Sequence, residues 1–205
     1  MTMLSAAEAL ARLREGNRRF ASGAGELAAA IGHARRLQVA SEQRPFAVVL
    51  GCSDSRVPAE LVFDQGLGEL FVIRVAGNIV SPSQVGSVEF AAARFGTQLV
   101  VVLGHTQCGA ILATLEHVRQ GAQHPDNLLA IVERIRPSVQ TLLELRPSAS
   151  EDELVHQAVR ANVRASLNHL RHGSALLERL IAQQRLSVVG AEYHLETGTV
   201  DFFET

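Results

Sequence analysis

The sequence predicts an α/β fold: a mainly parallel central sheet flanked by helices, with an N-terminal helical arm. Three observations lead there. Residues 46–50, 70–73 and 99–103 are short apolar runs bounded by polar residues or glycine, as strands buried on both faces are. Helical patterns separate these runs, and parallel neighbouring strands need such crossovers. No repeat, low-complexity segment or linker interrupts the 205 residues, a length suited to one large domain. We therefore expect a single domain over 1–205, with an arm at 1–44 and an α/β core at 45–205.

Taken in order, Ser5-Ala-Ala-Glu8 has the spacing of a capping box, and Ala7, Leu10, Leu13 and Phe20 recur at near-helical intervals. An amphipathic helix therefore opens the chain, and Gly23 and Gly25 end it. A second helical stretch is expected over about 27–42, stopping before Pro45, because proline disfavours helix in the residue ahead of it. After the first two strands come helical patterns at 85–95 and, beyond the third strand, at 110–119. A long helical region follows over 124–184, capped internally by Ser150-Glu-Asp-Glu153 and divided at Gly173-Ser174. Residues 186–189 form a fourth strand. Residues 190–203, turning at Glu196-Thr-Gly198, form a terminal hairpin or edge extension.

Composition narrows the function. The formal charge is −2 and the basic residues are dispersed, so nucleic acid is not an expected partner. No apolar run approaches the ~18 residues of a membrane span, and charges recur every few residues through 1–20, unlike a signal peptide. A cytoplasmic protein with no membrane partner is expected. The two cysteines, Cys52 and Cys108, are too few for a disulfide framework and suit metal binding or catalysis in a reducing compartment.

The chemistry gathers at strand ends. Cys52 directly follows the first strand; His105 follows the third, with Cys108 three residues on at the start of a helix. Loops at the carboxyl ends of strands converge on the crevice of an open α/β sheet, so two thiols and an imidazole can meet there. Zinc favours such sulfur and nitrogen donors, and three protein ligands leave a fourth position for water, as in catalytic sites. In Cys52-Ser-Asp-Ser-Arg56 a carboxylate and a guanidinium stand beside the same ligand. A cysteine-phosphatase loop does not fit, because Arg56 lies too few residues beyond Cys52.

Cys52-Ser-Asp-Ser-Arg56 together with Gly104-His-Thr-Gln-Cys-Gly109 resembles the paired zinc motif of the β-carbonic anhydrases. Gly16-Asn-Arg-Arg-Phe20, Gly68-Glu-Leu-Phe71, Arg74-Val-Ala-Gly-Asn78, Gly86-Ser-Val-Glu89 and Gly190-Ala-Glu-Tyr193 resemble family segments in the same order, so the likeness covers nearly the whole chain. It implies Zn2+ on Cys52, His105 and Cys108, a catalytic dyad of Asp54 and Arg56, and reversible hydration of carbon dioxide to bicarbonate by hydroxide at the metal. It also implies a homodimer or a dimer of dimers, with the arm packed on a second protomer.

Gated family members carry a tryptophan three residues before the first zinc cysteine; here that position is Val49. Gln43 and Phe71 occupy positions that help form the substrate pocket between protomers in plant-type members, and Gly109 is either a packing necessity or a backbone amide close to substrate in that pocket. The resemblance is thus to the plant-type, ungated subclass, although the usual pocket tyrosine is Phe90. Asp54 is chemically able to become a fourth metal ligand in a closed state, but without the tryptophan an open site is expected. Two rival readings remain: hydrolysis of carbonyl sulfide or carbon disulfide on the same zinc, and a zinc-binding homologue without catalysis.

Overall fold

The computed structural model describes residues 3–25, 30–146 and 149–203. Helix α1 (Ala6–Ala21) opens with the expected capping box: Ser5 Oγ accepts from the Glu8 amide, and Glu8 Oε2 accepts from the Ser5 amide at 2.8 Å. Its buried stripe of Ala9 and Leu13 joins a core made by its own chain. Asn17 locks that docking, donating to the carbonyls of Val62 and Gly198 and accepting from the Val200 amide at 2.8 Å. The face that family resemblance assigned to a second protomer is, for α1, packed against its own domain.

Gly16 sits where α1 crosses the end of α3 (Ala59–Val62). A Cβ added there would lie 1.8 Å from the backbone oxygen of Phe63. Backbone cannot swing aside as a side chain can, so the helix itself must move. Gly16→Ala is expected to destabilise the protein by about 1–3 kcal/mol, read as a lower denaturation midpoint. An unchanged midpoint would show that α1 does not make this contact in solution.

The second arm helix, α2 (His33–Val39), is shorter than the 27–42 expected. None of its residues is buried and Gly32 provides no side-chain cap, so neither packing nor capping extends it. The expected start, at 27–29, lies outside the described residues.

Strands β1 (Ala47–Gly51), β2 (Leu70–Arg74), β3 (Leu99–His105) and β4 (Ser187–Tyr193) run parallel, and β5 (Val200–Phe203) closes one edge antiparallel to β4. The spatial order is β2-β1-β3-β4-β5. Alternate residues feed the two faces. Val49, Val101 and Val189 point to the α1 side, whereas Val48, Val100 and Val188 point to α4 (Pro82–Phe95) and α7 (Glu151–His172). The chain leaves β1 toward β2 and returns to the other side of β1 as β3. The carboxyl ends of β1 and β3 therefore flank a crevice at the switch in strand order.

A third apolar cluster lies beneath that crevice. It is built from α5 (Gly109–Gln120), α6 (Asp126–Leu145) and the first half of α7, and includes Ile111, Leu115, Ile135, Val139, Val155 and Val159. The long region after 124 is three helices, completed by α8 (Ala175–Ala182), with Ser150 and Ser174 accepting from the amides of Glu153 and Leu177. The hairpin expected over 190–203 is present, but its first arm is continuous with the fourth strand expected at 186–189: both belong to β4, which pairs with β5. Among the described residues no helix is long and apolar enough to cross a membrane.

Candidate active site

β1 delivers Cys52, and β3 delivers His105 and, through a tight turn at Gln107 (φ 56°), Cys108 at the start of α5. All three are buried, and their ligand atoms lie within 4.8 Å of one another. The His105 ring is inaccessible to solvent. Its Nδ1 lies 2.9 Å from the carbonyl oxygen of Thr106, and because a carbonyl only accepts, Nδ1 carries the proton. Nε2 is then the lone-pair nitrogen, and among the described residues it has no hydrogen-bond partner. A buried acceptor aimed at two sulfurs is costly unless something electrophilic meets it.

The two thiols differ. The Cys52 thiol is lowered to about 4, chiefly by a hydrogen bond from Cys108 working against burial, with help from the Gly77 amide. The same bond, with burial, pushes the Cys108 thiol up. A divalent cation would replace the shared proton and hold both sulfurs as thiolates. The donor set fits a metal ion.

Asp54 and Arg56 meet as expected. Arg56 Nε donates to Asp54 Oδ1 at 2.9 Å and Nη2 to Oδ2 at 2.7 Å, while the Arg56 amide also donates to Oδ1. These hydrogen bonds hold the Asp54 carboxyl below the usual carboxylate range, against partial burial, with the Arg56 charge adding to the effect. A depressed pKa means that the stability Asp54 contributes is present above about pH 4 and is lost as pH falls further. The carboxylate is therefore charged through the neutral range. Oδ2 lies 3.9 Å from His105 Nε2, at the edge of the space the three ligands face. Arg56 also reaches the carbonyl of Gln107 at 3.4 Å, tying the two ligand loops together.

The residues assigned to the substrate pocket divide. Gly109 adjoins the cluster, and a Cβ there would meet nothing within 4 Å, so the approach is open. Phe71 pairs with Val48, four residues before Cys52, which is roughly 13 Å along the sheet at about 3.3 Å per residue. Phe90 on α4 is 53% exposed and packs with Phe71 and Phe95 at centroid distances of 6.1 and 5.6 Å. Gln43 is exposed on the arm before β1. Within one chain these three stand away from the Cys52–His105–Cys108 cluster.

Other contributors were not assigned in the sequence. Arg74 Nε donates to the Cys52 carbonyl at 3.0 Å and Nη2 to the Asp54 carbonyl at 2.6 Å, holding the ligand loop. The amide of Gly77, in the short 3-10 turn Ala76–Asn78, donates to Cys52 Sγ at 3.3 Å. The motif Arg74-Val-Ala-Gly-Asn78 was visible, but its roles depend on the turn that brings it over the ligand.

A buried cysteine–histidine–cysteine cluster at the switch point of a parallel sheet makes this an α/β protein with a site fit to hold a metal ion. The family model described as carbonic anhydrase matches residues 47–200. A carbonic anhydrase of Mycolicibacterium smegmatis is 40% identical over 92% of this chain and 89% of its own length. Among solved structures, a Coccomyxa β-carbonic anhydrase in complex with acetazolamide superposes with TM-score 0.74 at 29% identity, covering 95% of this chain and 86% of that one. A β-carbonic anhydrase of Sordaria macrospora, from a pair described as tetrameric, superposes with TM-score 0.76 at 25% identity, covering 82% and 85%. This chain belongs to the carbonic anhydrase family, in its β class.

Proposed function

We propose that this protein catalyses the reversible hydration of carbon dioxide to bicarbonate and a proton, using Zn2+ held by Cys52, His105 and Cys108. The observation that carries the reading is the three-donor cluster beside an ionised Asp54 clamped by Arg56. Zinc, when bound, supplies the Lewis acidity that makes water a nucleophile near neutral pH. Asp54, charged and unable to donate, accepts a hydrogen bond from the attacking water and so aims its lone pair. Arg56 keeps that carboxylate oriented, and Arg74 fixes the backbone on which Cys52 and Asp54 stand. Gly109 leaves room for a small linear substrate beside them. Stopped-flow hydration of carbon dioxide tests the reading, and a preference for carbonyl sulfide in the same assay would favour the rival hydrolase.

The site operates in the open, ungated state on this reading. Both Asp54 oxygens are engaged by Arg56, through three hydrogen bonds that a move onto the metal would break. Activity is therefore expected to rise smoothly toward alkaline pH. A steep cooperative step in the pH–rate profile, or a neutral-pH crystal structure with an Asp54 oxygen about 2.0–2.2 Å from zinc, would contradict this.

The working unit is a homodimer or a dimer of dimers, in which Gln43, Phe71 and Phe90 of one protomer complete the pocket of the other. The exposed ring of Phe90 over Phe71 and Phe95 is the apolar patch such an interface would cover. Phe90→Glu is expected to shift the protein toward monomer in sedimentation and to lower activity with it. A fully active, unchanged oligomer would exclude this face. The reducing cytoplasm is the compartment that keeps Cys52 and Cys108 available to metal.

A further inference from the structure

Helix α7 buries an apolar stripe that includes Leu154, Val155, Ala158, Val159, Val163, Leu167 and Leu170, yet two polar residues, Asn162 and Ser166, lie on it one turn apart and almost fully buried. Buried amides and hydroxyls destabilise a helix packing face unless they are hydrogen-bonded. Both are bonded to a single target. Asn162 Nδ2 donates to the Gly77 carbonyl at 2.7 Å, and Ser166 Oγ donates to the Asn78 carbonyl at 2.9 Å.

That target is a strained turn. Gly77 (φ 70°) and Asn78 (φ 42°) occupy consecutive left-handed conformations. A Cβ on Gly77 would lie 2.8 Å from Ile135 Cδ1 and 3.0 Å from Ala110 Cβ. Left-handed backbone at a non-glycine residue such as Asn78 persists only where its surroundings hold it. The turn also carries the amide that donates to Cys52 Sγ.

We infer that Asn162, supported by Ser166, is a positioning residue for the metal centre: by clasping the 76–78 turn it aims the Gly77 amide at the Cys52 sulfur. The inference rests on the reading of Cys52, His105 and Cys108 as metal ligands. An N–H bond to a ligand sulfur fixes its direction and withdraws charge from it, as second-shell bonds do at other metal sites. Asn162 thus acts on the metal through two hydrogen bonds in series and touches neither metal nor substrate.

The test uses cobalt(II)-substituted protein, whose thiolate-to-metal absorption reports on the sulfur, together with zinc affinity by chelator competition. Asn162→Ala and the near-isosteric Asn162→Leu both remove the donor. Each is expected to weaken zinc binding ~10–100-fold and to move the thiolate-to-cobalt band to lower energy as the sulfur becomes more electron-rich. Ser166→Ala should do the same more weakly, and it decides the matter if the Asn162 variants do not fold. Leu170→Ala, a packing loss elsewhere on α7, should leave band and affinity unchanged. Unshifted bands in the Asn162 variants, or an equal change in Leu170→Ala, would overturn the inference. A wild-type protein that shows no thiolate-to-cobalt band would instead overturn the ligand assignment beneath it.

Discussion

Cys108→Ser protein is expected to lose nearly all its zinc and with it the hydration activity, while folding as well as the wild type. The substituted residue is the N-cap of α5, where serine is a better cap than cysteine, and Cys108 makes no side-chain cap bond. Helix α5 therefore has no reason to fray. What is lost is one of two thiolates facing a divalent cation, and a neutral hydroxyl does not replace it. The loss in affinity should exceed the ~10–100-fold typical of changes behind the ligands. Metal analysis after dialysis against a chelator, beside a thermal melt of the metal-free protein, separates the two effects. Full zinc content with full activity would remove Cys108 from the ligand set.

Asp54→Ala should behave in the opposite way, keeping zinc and losing rate. The three donors are untouched, and the loop bearing Cys52 is still held through backbone: Arg74 bonds the carbonyls of residues 52 and 54, and the Val57 amide bonds that of residue 54. The lost group is the acceptor that orients the attacking water, and a fall in turnover of ~10–100-fold is expected. Zinc content and rate should be measured on the same sample. Unchanged turnover at every pH would refute the role assigned to Asp54.

How much of this was legible in the sequence depended on how local each cause is. The α1 capping box is written in Ser5 and Glu8 alone, and it formed as read. The strands were legible because burial on both faces leaves continuous apolar runs: β1 is buried at every position and so is β3. The meeting of Cys52, His105 and Cys108 was legible because strand ends in a parallel sheet converge, and the Asp54–Arg56 ion pair because its members stand two residues apart in one loop. The docking of α1 was not, because it rests on Asn17 meeting residues of the terminal hairpin far along the chain. The clasp of Asn162 on Gly77 spans 85 residues. Its only local trace is a pair of polar residues one turn apart on an apolar stripe. Phe71 and Phe90 were assigned to the pocket by family resemblance alone, and one chain holds them away from the Cys52–His105–Cys108 cluster.

The central claim is that this chain hydrates carbon dioxide at a metal held by Cys52, His105 and Cys108. Its most direct test is stopped-flow hydration of carbon dioxide during titration of zinc into metal-free protein, with metal quantified at each point. The account predicts activity rising in proportion to zinc and levelling at about one ion per chain, as three ligands with one open position imply. Fully zinc-loaded protein that hydrates carbon dioxide no faster than buffer would contradict it.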